Sequence, residues 1–472
     1  MQKTVRFSLA LSALLLCTTA RAGEEQSKWS EEVGAKSYPT NNQVLRANDF
    51  GANDNGLILS TRAIQAAIDS CASAGGGRVE FEPGVYLTGA LYLKSNVELH
   101  IGEGVELKGM IGREEFPDID TRVAGIEMRW PSAIINVIDQ ENVAVSGNGT
   151  LHAQGRYHWE QYWKLREEYT PKGLRWAADY DCKRVRTLLI SGSRNVSVSD
   201  LTLKQAGFWT VHILYSSQVT VSGLTIQNNI DGHGPSTDGI DIDSSNRILV
   251  ENCDIDCNDD NFCLKAGRDA DGLRVNRPTE YVIIRNCIAR RGGGLLSIGS
   301  ETSGGIRNIE IHHLEAWGTL CGIRLKSALT RGGLIENIYV HHIKMNDVAN
   351  PIDVSLNWNP SYSYASLPEG THSLPQHWNV LLQPVEPAQK GIPVFRNVTL
   401  QNMKASGART AINASGIDDS YLENFVLENI EIRAQKAGKI SYTRNWLLKN
   451  VRILSRNKDN FIMNNNDNFV RE

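Results

Sequence analysis

The feature that most restricts this chain is an irregular internal repeat. Its copies begin at Asn195, Gln218, Arg247, Tyr281, Asn308, Asn337, Asn397, Asn424 and Asn445. Within each copy the second and fourth residues are apolar, as in Val196 and Val198, Ile248 and Val250, or Ile309 and Ile311. That is the period-two pattern of a strand with one face buried. The sixth position is often asparagine, at Asn252, Asn286, Asn402, Asn429 and Asn450. Asparagine accepts left-handed backbone angles and can hydrogen-bond along a stack of equivalent turns. Successive starts lie one solenoid coil apart, and the β-branched enrichment argues against a helical repeat. The expectation is an all-β chain, a single-stranded right-handed parallel β-helix. Segments from Asn96 and Asn142 read as earlier coils. Upstream, residues 60–77 carry apolar residues at helical spacing and end in glycines, which predicts a helix capping the N-terminal end of the core.

Composition narrows the class further. The chain is 41% hydrophobic and 22% charged, with a formal net charge of −4, so neither nucleic acid nor an anionic membrane is attracted to it globally. A basic start, an apolar run from Leu9 to Thr19 and Ala20-Arg21-Ala22 before Gly23 predict a signal peptide over residues 1–22. Cys17 could suggest a lipobox, but Leu16 stands where a small residue is wanted. An N-terminal extension is expected over 23–45 and the parallel β-helix catalytic domain over 46–472. No later apolar run is long enough to span a membrane. The expected location is outside the cytoplasm, periplasmic or extracellular, and the expected state is a monomer.

Seven cysteines remain after residue 22, an odd and scattered set that is no disulfide scaffold. A bridge stays open, with Cys257 and Cys263 the closest pair. The repeat register puts Cys253 and Cys287 at the apolar seventh position, as inert core thiols. The pairs His312-His313 and His341-His342 occupy equivalent places on consecutive coils. Because His313 and His342 stand where other copies carry the turn asparagine, a stacking role is expected rather than a metal site.

Chemistry concentrates in three segments that follow repeat copies: residues 236–245, 258–267 and 321–328. Aligned by coil, they fall on successive turns of one face, with Asp238 and Asp260 as cross-strand neighbours about 4.8 Å apart along the backbone. Carboxylates that close repel, so one holds its proton while another stays ionised, as a glycosidase requires. Asp259 and Asp260 can share a cleft only if the strand bends at its start. Asp-rich turns also serve solvated loops or bind calcium. Arg324 and Lys326 shift that balance, because both point the same way and could bind a substrate carboxylate by charge-assisted hydrogen bonds.

These segments resemble the motifs of the polygalacturonase family, glycoside hydrolase family 28. Ser236-Thr237-Asp238 is similar to its Asn-Thr-Asp motif, Asp259-Asp260 to its Asp-Asp motif, and Arg324-Leu325-Lys326 to its Arg-Ile-Lys motif. The resemblance extends to Asp49 and the residues after it. It implies an inverting hydrolase of α-linked galacturonate acting on an acidic plant polysaccharide, with Asp259 as general acid, Asp238 and Asp260 activating water, and no metal or other cofactor. The family's Gly-His-Gly motif is missing its histidine, since the chain reads Gly292-Gly293-Gly294 before Leu295. His233, just before Asp238, is the candidate to stand in for it as a substrate-binding residue, against a plain loop histidine.

Two further stretches, 156–183 and 357–390, read as insertions rich in aromatic residues. If they wall off one end of the cleft, cleavage is exo-acting. The competing readings are a rhamnogalacturonan hydrolase of the same family, a calcium-dependent pectate lyase on the same kind of solenoid, and a non-catalytic binding solenoid.

Overall fold

A computed structural model describes residues 29–370 and 374–472. The expected signal segment 1–22, with Cys17, and the first part of the 23–45 extension lie outside the described residues. The fold is the right-handed parallel β-helix read from the repeat. Each coil contributes to three parallel faces. The first contains Val211–Leu214, Ile240–Asp243, Asp260–Lys265, Gly294–Ile298, Cys321–Lys326 and Asn350–Ser355. The second contains Arg194–Ser199, Ser217–Ser222, Asn246–Glu251 and Thr279–Arg285, and the third Thr202–Lys204, Thr225–Gln227 and Asp254–Asp256. The repeat copies supply the second and third faces, and the loop after each copy leads to the first.

Inside, side chains at equivalent positions stack in rows. Val196, Val219, Ile248, Val282, Ile309 and Ile338 are at most 1% exposed and lie in register from coil to coil. Burial of these rows, at about 25 cal/mol per Å² of apolar surface, drives the winding. Corners are set by residues with positive φ. Asn252, Asn286, Asn402, Asn429 and Asn450 all have φ between 51° and 56°, as the repeat implied. The first residue of each copy does the same, from Asn195 at 52° to Arg247 and Tyr281 at 57°. Both corners carry side-chain ladders. Asn337 donates to Asn308 at 3.1 Å, Asn424 to Asn397 at 3.0 Å and Asn445 to Asn424 at 3.1 Å. The histidine pairs stack ring on ring, His312 on His341 at 5.0 Å and His313 on His342 at 4.8 Å.

The helix Thr61–Ser73 buries Ile64, Ala67, Ile68 and Cys71 against the N-terminal end of the core. Ahead of it, Val44–Arg46 already pairs in parallel with Arg78–Glu80. The preceding segment crosses the outside of the coils, where Gly34 N–H donates to Arg247 O at 2.9 Å and Ala35 N–H to Thr220 Oγ1 at 2.9 Å. All seven cysteines from Cys71 to Cys321 are buried thiols without a bridge, so the Cys257–Cys263 disulfide left open by the sequence does not form. Among the described residues no helix is long and apolar enough to cross a membrane.

Among the described residues, three excursions beside the short helix Asp269–Val275 leave the solenoid on the side of its first face. They are an antiparallel hairpin, Asp118–Val123 with Ile126–Pro131, the insertion carrying helices Arg156–Tyr169 and Ala178–Asp181, and the stretch with helices Pro360–Ser363 and Gln376–Leu381. Together with Phe208 and Trp209 they build a second apolar core of Val123, Ile126, Trp130, Trp176, Tyr180 and Trp378. Trp176 packs on Trp378 at 5.0 Å and donates its indole N–H to Ser366 O at 3.0 Å. The two insertions expected from sequence therefore meet each other.

Candidate active site

The acids converge where the first face meets this second core. Gly239 N–H donates to Asp260 O at 3.0 Å, which makes Asp238 and Asp260 neighbours on adjacent coils, as the coil alignment required. The chain bends at Asn258 and Asp259 before the strand Asp260–Lys265 begins. Asn261 holds that bend by donating to Arg291 O at 2.7 Å and Gly294 O at 2.8 Å. The bend turns Asp259 and Asp260 toward one pocket, lined also by Asp238, Lys265, Glu301, Lys326, Trp209 and Trp358.

Lys326 Nζ donates to Asp260 Oδ2 at 2.7 Å, and Arg324 Nη1 lies 3.8 Å from Asp260 Oδ1. Burial alone would favour the neutral acid at Asp260, but these two cations overcome it and hold the carboxyl well below the usual range. Its neighbours behave oppositely. Burial, then the charge of Asp260, raise Asp259. Burial, then Asp241 and Asp259, push Asp238 well above its ordinary value. Asp260 is thus poised as the anion of the group, while Asp259, half-buried at the pocket wall, retains its proton more readily.

Three members of this cluster escaped the sequence reading. Asp241 is fully buried and also raised well above its ordinary value, by burial first, with Asp260 and Asp259 adding to it. Lys265 Nζ sits 3.3 Å from Glu301 Oε2, 3.7 Å from Asp241 Oδ1 and 3.9 Å from Asp238 Oδ2. Glu301 is buried, yet Lys265, Arg331 and Lys326 bring it down to about 2. Strand alternation offered a signal for two of them. Asp241 and Lys265 point the same way as Cys263, to which Asp241 is paired in register. Glu301 left no such trace because it lies in the loop after the strand Gly294–Ile298.

His233 is not brought to the acids. Its ring is partly exposed and faces Glu160 Oε1 at 3.2 Å, while its carbonyl accepts from the Trp163 indole at 2.7 Å. The insertion instead brings Asp179, which Arg175 and Arg184 bind at 2.9 and 2.8 Å and Ser236 Oγ reaches at 2.7 Å. Ser236, standing where the motif has asparagine, thereby ties the insertion to the loop that carries Asp238.

Asp238, Asp260 and Cys263 are close enough for one ligand atom from each to surround a cation. Their chemistry fits calcium poorly, since calcium takes six to eight oxygens and a thiol is a soft donor. The ammonium groups of Lys265 and Lys326 already occupy the counter-ion role beside these carboxylates.

Comparison with known proteins places this geometry. The profile of Glycosyl hydrolases family 28 matches residues 83–369. The chain belongs to that family. The probable polygalacturonase of Vitis vinifera is 25% identical over 92% of this chain and 84% of its own length. The exo-poly-alpha-D-galacturonosidase of Dickeya chrysanthemi is 24% identical over 84% and 69%. Among solved structures, the exopolygalacturonase of Thermotoga maritima superposes with a TM-score of 0.73 at 26% identity, over 93% of this chain and 96% of that one. Family 28 membership makes the protein a glycoside hydrolase of the polygalacturonase type.

Proposed function

We propose that the protein hydrolyses α-galacturonosyl bonds at the end of a pectic chain, with inversion at the anomeric carbon. The observation that carries this reading is the split in proton affinity within one pocket, Asp260 bonded to Lys326 and ionised, Asp259 beside it and raised. Asp259 donates its proton to the glycosidic oxygen as the bond breaks. Asp260 takes a proton from the water that attacks the opposite side of the sugar, and Asp238, which burial and its neighbouring acids hold toward the neutral form, orients that water by hydrogen bonding. Arg175, Lys265 and Lys326 present positive charge to the galacturonate carboxylate, and the rings of Trp209 and Trp358 offer faces for stacking the sugar. Export, expected from residues 1–22, would bring the enzyme to such a polymer.

The exo mode is supported by the second apolar core. Ala124 of the hairpin, Arg175 of one insertion and Tyr362 of the other all line the acid pocket. Tyr362 donates to Glu301 at 3.2 Å, and Arg268 donates to the backbone carbonyls of Tyr362 and Ser363 at 3.0 and 3.1 Å. A wall pinned that firmly limits how much sugar can extend past the acids. The test is product analysis without added metal, on polygalacturonate and on rhamnogalacturonan, following reducing ends, product sizes and unsaturated-sugar absorbance. Saturated short products released singly from the first minutes support the proposal. A ladder of medium oligomers overturns the exo mode, and unsaturated products that vanish with chelator overturn hydrolysis in favour of elimination.

A further inference from the structure

The first insertion borders two hollows, one at each end. Arg175 and Asp179, near its end, line the acid pocket. Its start borders a shallow recess of about 360 Å³ whose walls include Ile111, His152, Gln154, Arg156, Tyr157 and Gln205, a volume in the range that holds a small ligand. The two hollows share no wall residue. The helix Arg156–Tyr169 joins them without opening one into the other: its first turn borders the recess, while Tyr162 on its buried side donates to Asp179 Oδ2 at 3.4 Å.

The walls of the recess are short of partners inside the protein. Ile111 is 53% exposed and Tyr157 44%; scattered exposed apolar residues are ordinary, but two bordering one hollow make the kind of patch that marks a binding groove. The Tyr157 hydroxyl and the Gln205 amide make no hydrogen bond to any described residue. Gln154 uses only its amide N–H, which donates to Gly109 O at 2.6 Å. His152 Nδ1 accepts the Gln154 backbone N–H at 3.2 Å, which leaves Nε2–H as a donor. Burial lowers the His152 pKa, opposed by Glu106 and aided by Lys108 and Lys204.

The charge beside the recess is mainly positive. Lys108 and Lys204 flank His152 in register on the two adjoining coils, and neither forms an ion pair among the described residues. Arg156 comes no nearer than 3.9 Å to Glu160 and keeps 65% of its side chain exposed. Glu160 turns instead to His233 Nε2 at 3.2 Å. A tyrosine ring suits the C–H face of a pyranose, amide and imidazole groups suit its hydroxyls, and unpaired cations suit a carboxylate. Together they fit one unit of an acidic polysaccharide.

We propose that this recess is a non-catalytic binding site for an internal uronate unit of the pectic chain, which holds the polymer on the enzyme while its end is cleaved at the acids. The identity of the polymer rests on the hydrolytic reading of the acid pocket. His152, Lys204, Gln227 and Asp256 follow one another in register, so the recess lies three strand spacings, about 14 Å, from the coil that leads into Asp259. A polymer held there keeps its chain ends near the acids at raised effective concentration. The wall behind the acids confines the end of the chain, so grip on a long substrate has to come from outside the pocket.

The test is native gel electrophoresis of the full-length chain carrying Asp259→Asn, which stops turnover, in gels containing polygalacturonate or a neutral galactan. Polygalacturonate should retard the protein and galactan should not, with the retardation weakened by added salt. Tyr157→Ala and Arg156→Ala should each reduce the apparent affinity about fivefold. With Asp259 restored, the same two substitutions should lower kcat/KM on the polymer about fivefold and leave it unchanged on a disaccharide too short to reach the recess. Thermal denaturation of each variant separates lost binding from lost folding. Equal retardation by galactan, affinity unchanged in both variants, or an equal loss on polymer and disaccharide overturns the site while leaving hydrolysis standing. Retardation that depends on Tyr157 and Arg156, in a protein that releases no saturated sugar from the polymer, overturns the hydrolytic reading and leaves the site in place.

Discussion

The corners of the coils and the first face are built on the same parallel register, yet they stack opposite kinds of side chain. At the corners, like sits on like. Asparagine amides from Asn308 to Asn445 pass hydrogen bonds up the ladder, and the histidines stack in pairs. On the first face, unlike groups follow one another: His212, Asp241, Cys263, Ser297, Arg324 and Asp353 occupy one row. A neutral amide carries both donor and acceptor, so repetition satisfies it. A carboxylate repeated at strand spacing repels itself, and here Arg324 stands within the row while Lys265 and Lys326 reach the acids from two residues further along their strands. The corner ladder can be extended indefinitely, whereas the acid cluster exists only where those cations are supplied.

The severest way to break this contrast is to remove the transferable proton. Asp259→Asn should lower kcat by at least about a thousandfold, within the range for a lost general acid, while leaving the melting temperature close to wild type because the volume hardly changes. Circular dichroism with a calorimetric scan checks the second half. Unfolding of this variant would mean that Asp259 organises the bend rather than the chemistry.

Lys326→Met attacks the charge balance instead. It leaves Asp260 buried with Arg324 as its nearest cation and Lys265 acting from farther off, and removing one partner of such a pair costs about 3–5 kcal/mol. The pH dependence has a definite sign. Asp260 titrates below its unfolded value, so its contribution to stability is present above the ordinary aspartate range and is lost as pH falls through the depressed folded value. Without Lys326 that value rises, and the acid limb of the kcat profile should move to higher pH. An unmoved limb would show that Asp260 is not the group whose ionisation limits the rate. Lys265→Met should act similarly but more weakly, because its nearest carboxylate is Glu301 and it stands farther from Asp238.

How much of this was legible in the sequence follows the same division. The corners repeat, so the period-two apolar pattern and the sixth-position asparagines gave the solenoid, and the seventh position marked Cys253 and Cys287 as core, where both are 1% exposed. The left-handed corner at the first residue of each copy went unread because Gln218, Arg247 and Tyr281 occupy it as well as asparagine. On the first face, Asp238, Asp259, Asp260, Arg324 and Lys326 stood out through spacing and family resemblance. Asp241 and Lys265 lie within the same segments but outside the Ser236-Thr237-Asp238 and Asp259-Asp260 motifs that the resemblance matches, so nothing singled them out. Asp179 and Glu301 could not be found by register, since one arrives on an insertion and the other in a loop. The hairpin at 118–131 and its share in the second core likewise depend on contacts between distant excursions, which no local pattern encodes.

The smallest predicted effect tests the corner side of the comparison. Asn397 accepts from Asn424 at 3.0 Å, donates to Asn337 at 3.3 Å and holds a φ of 56°. Asn397→Gly keeps the backbone angle accessible and removes only the amide, so the loss should be about 1 kcal/mol, the net worth of an ordinary hydrogen bond or two. Asn397→Ala also meets the cost of left-handed backbone for an L-residue, about 1–2 kcal/mol more. Activity should be unchanged in both, because the corner lies away from the acid pocket. Denaturant unfolding of the pair separates the two terms directly. If glycine and alanine destabilise equally, the ladder hydrogen bonds rather than the backbone angle explain why asparagine recurs there, and if glycine costs nothing, the asparagines serve the angle alone.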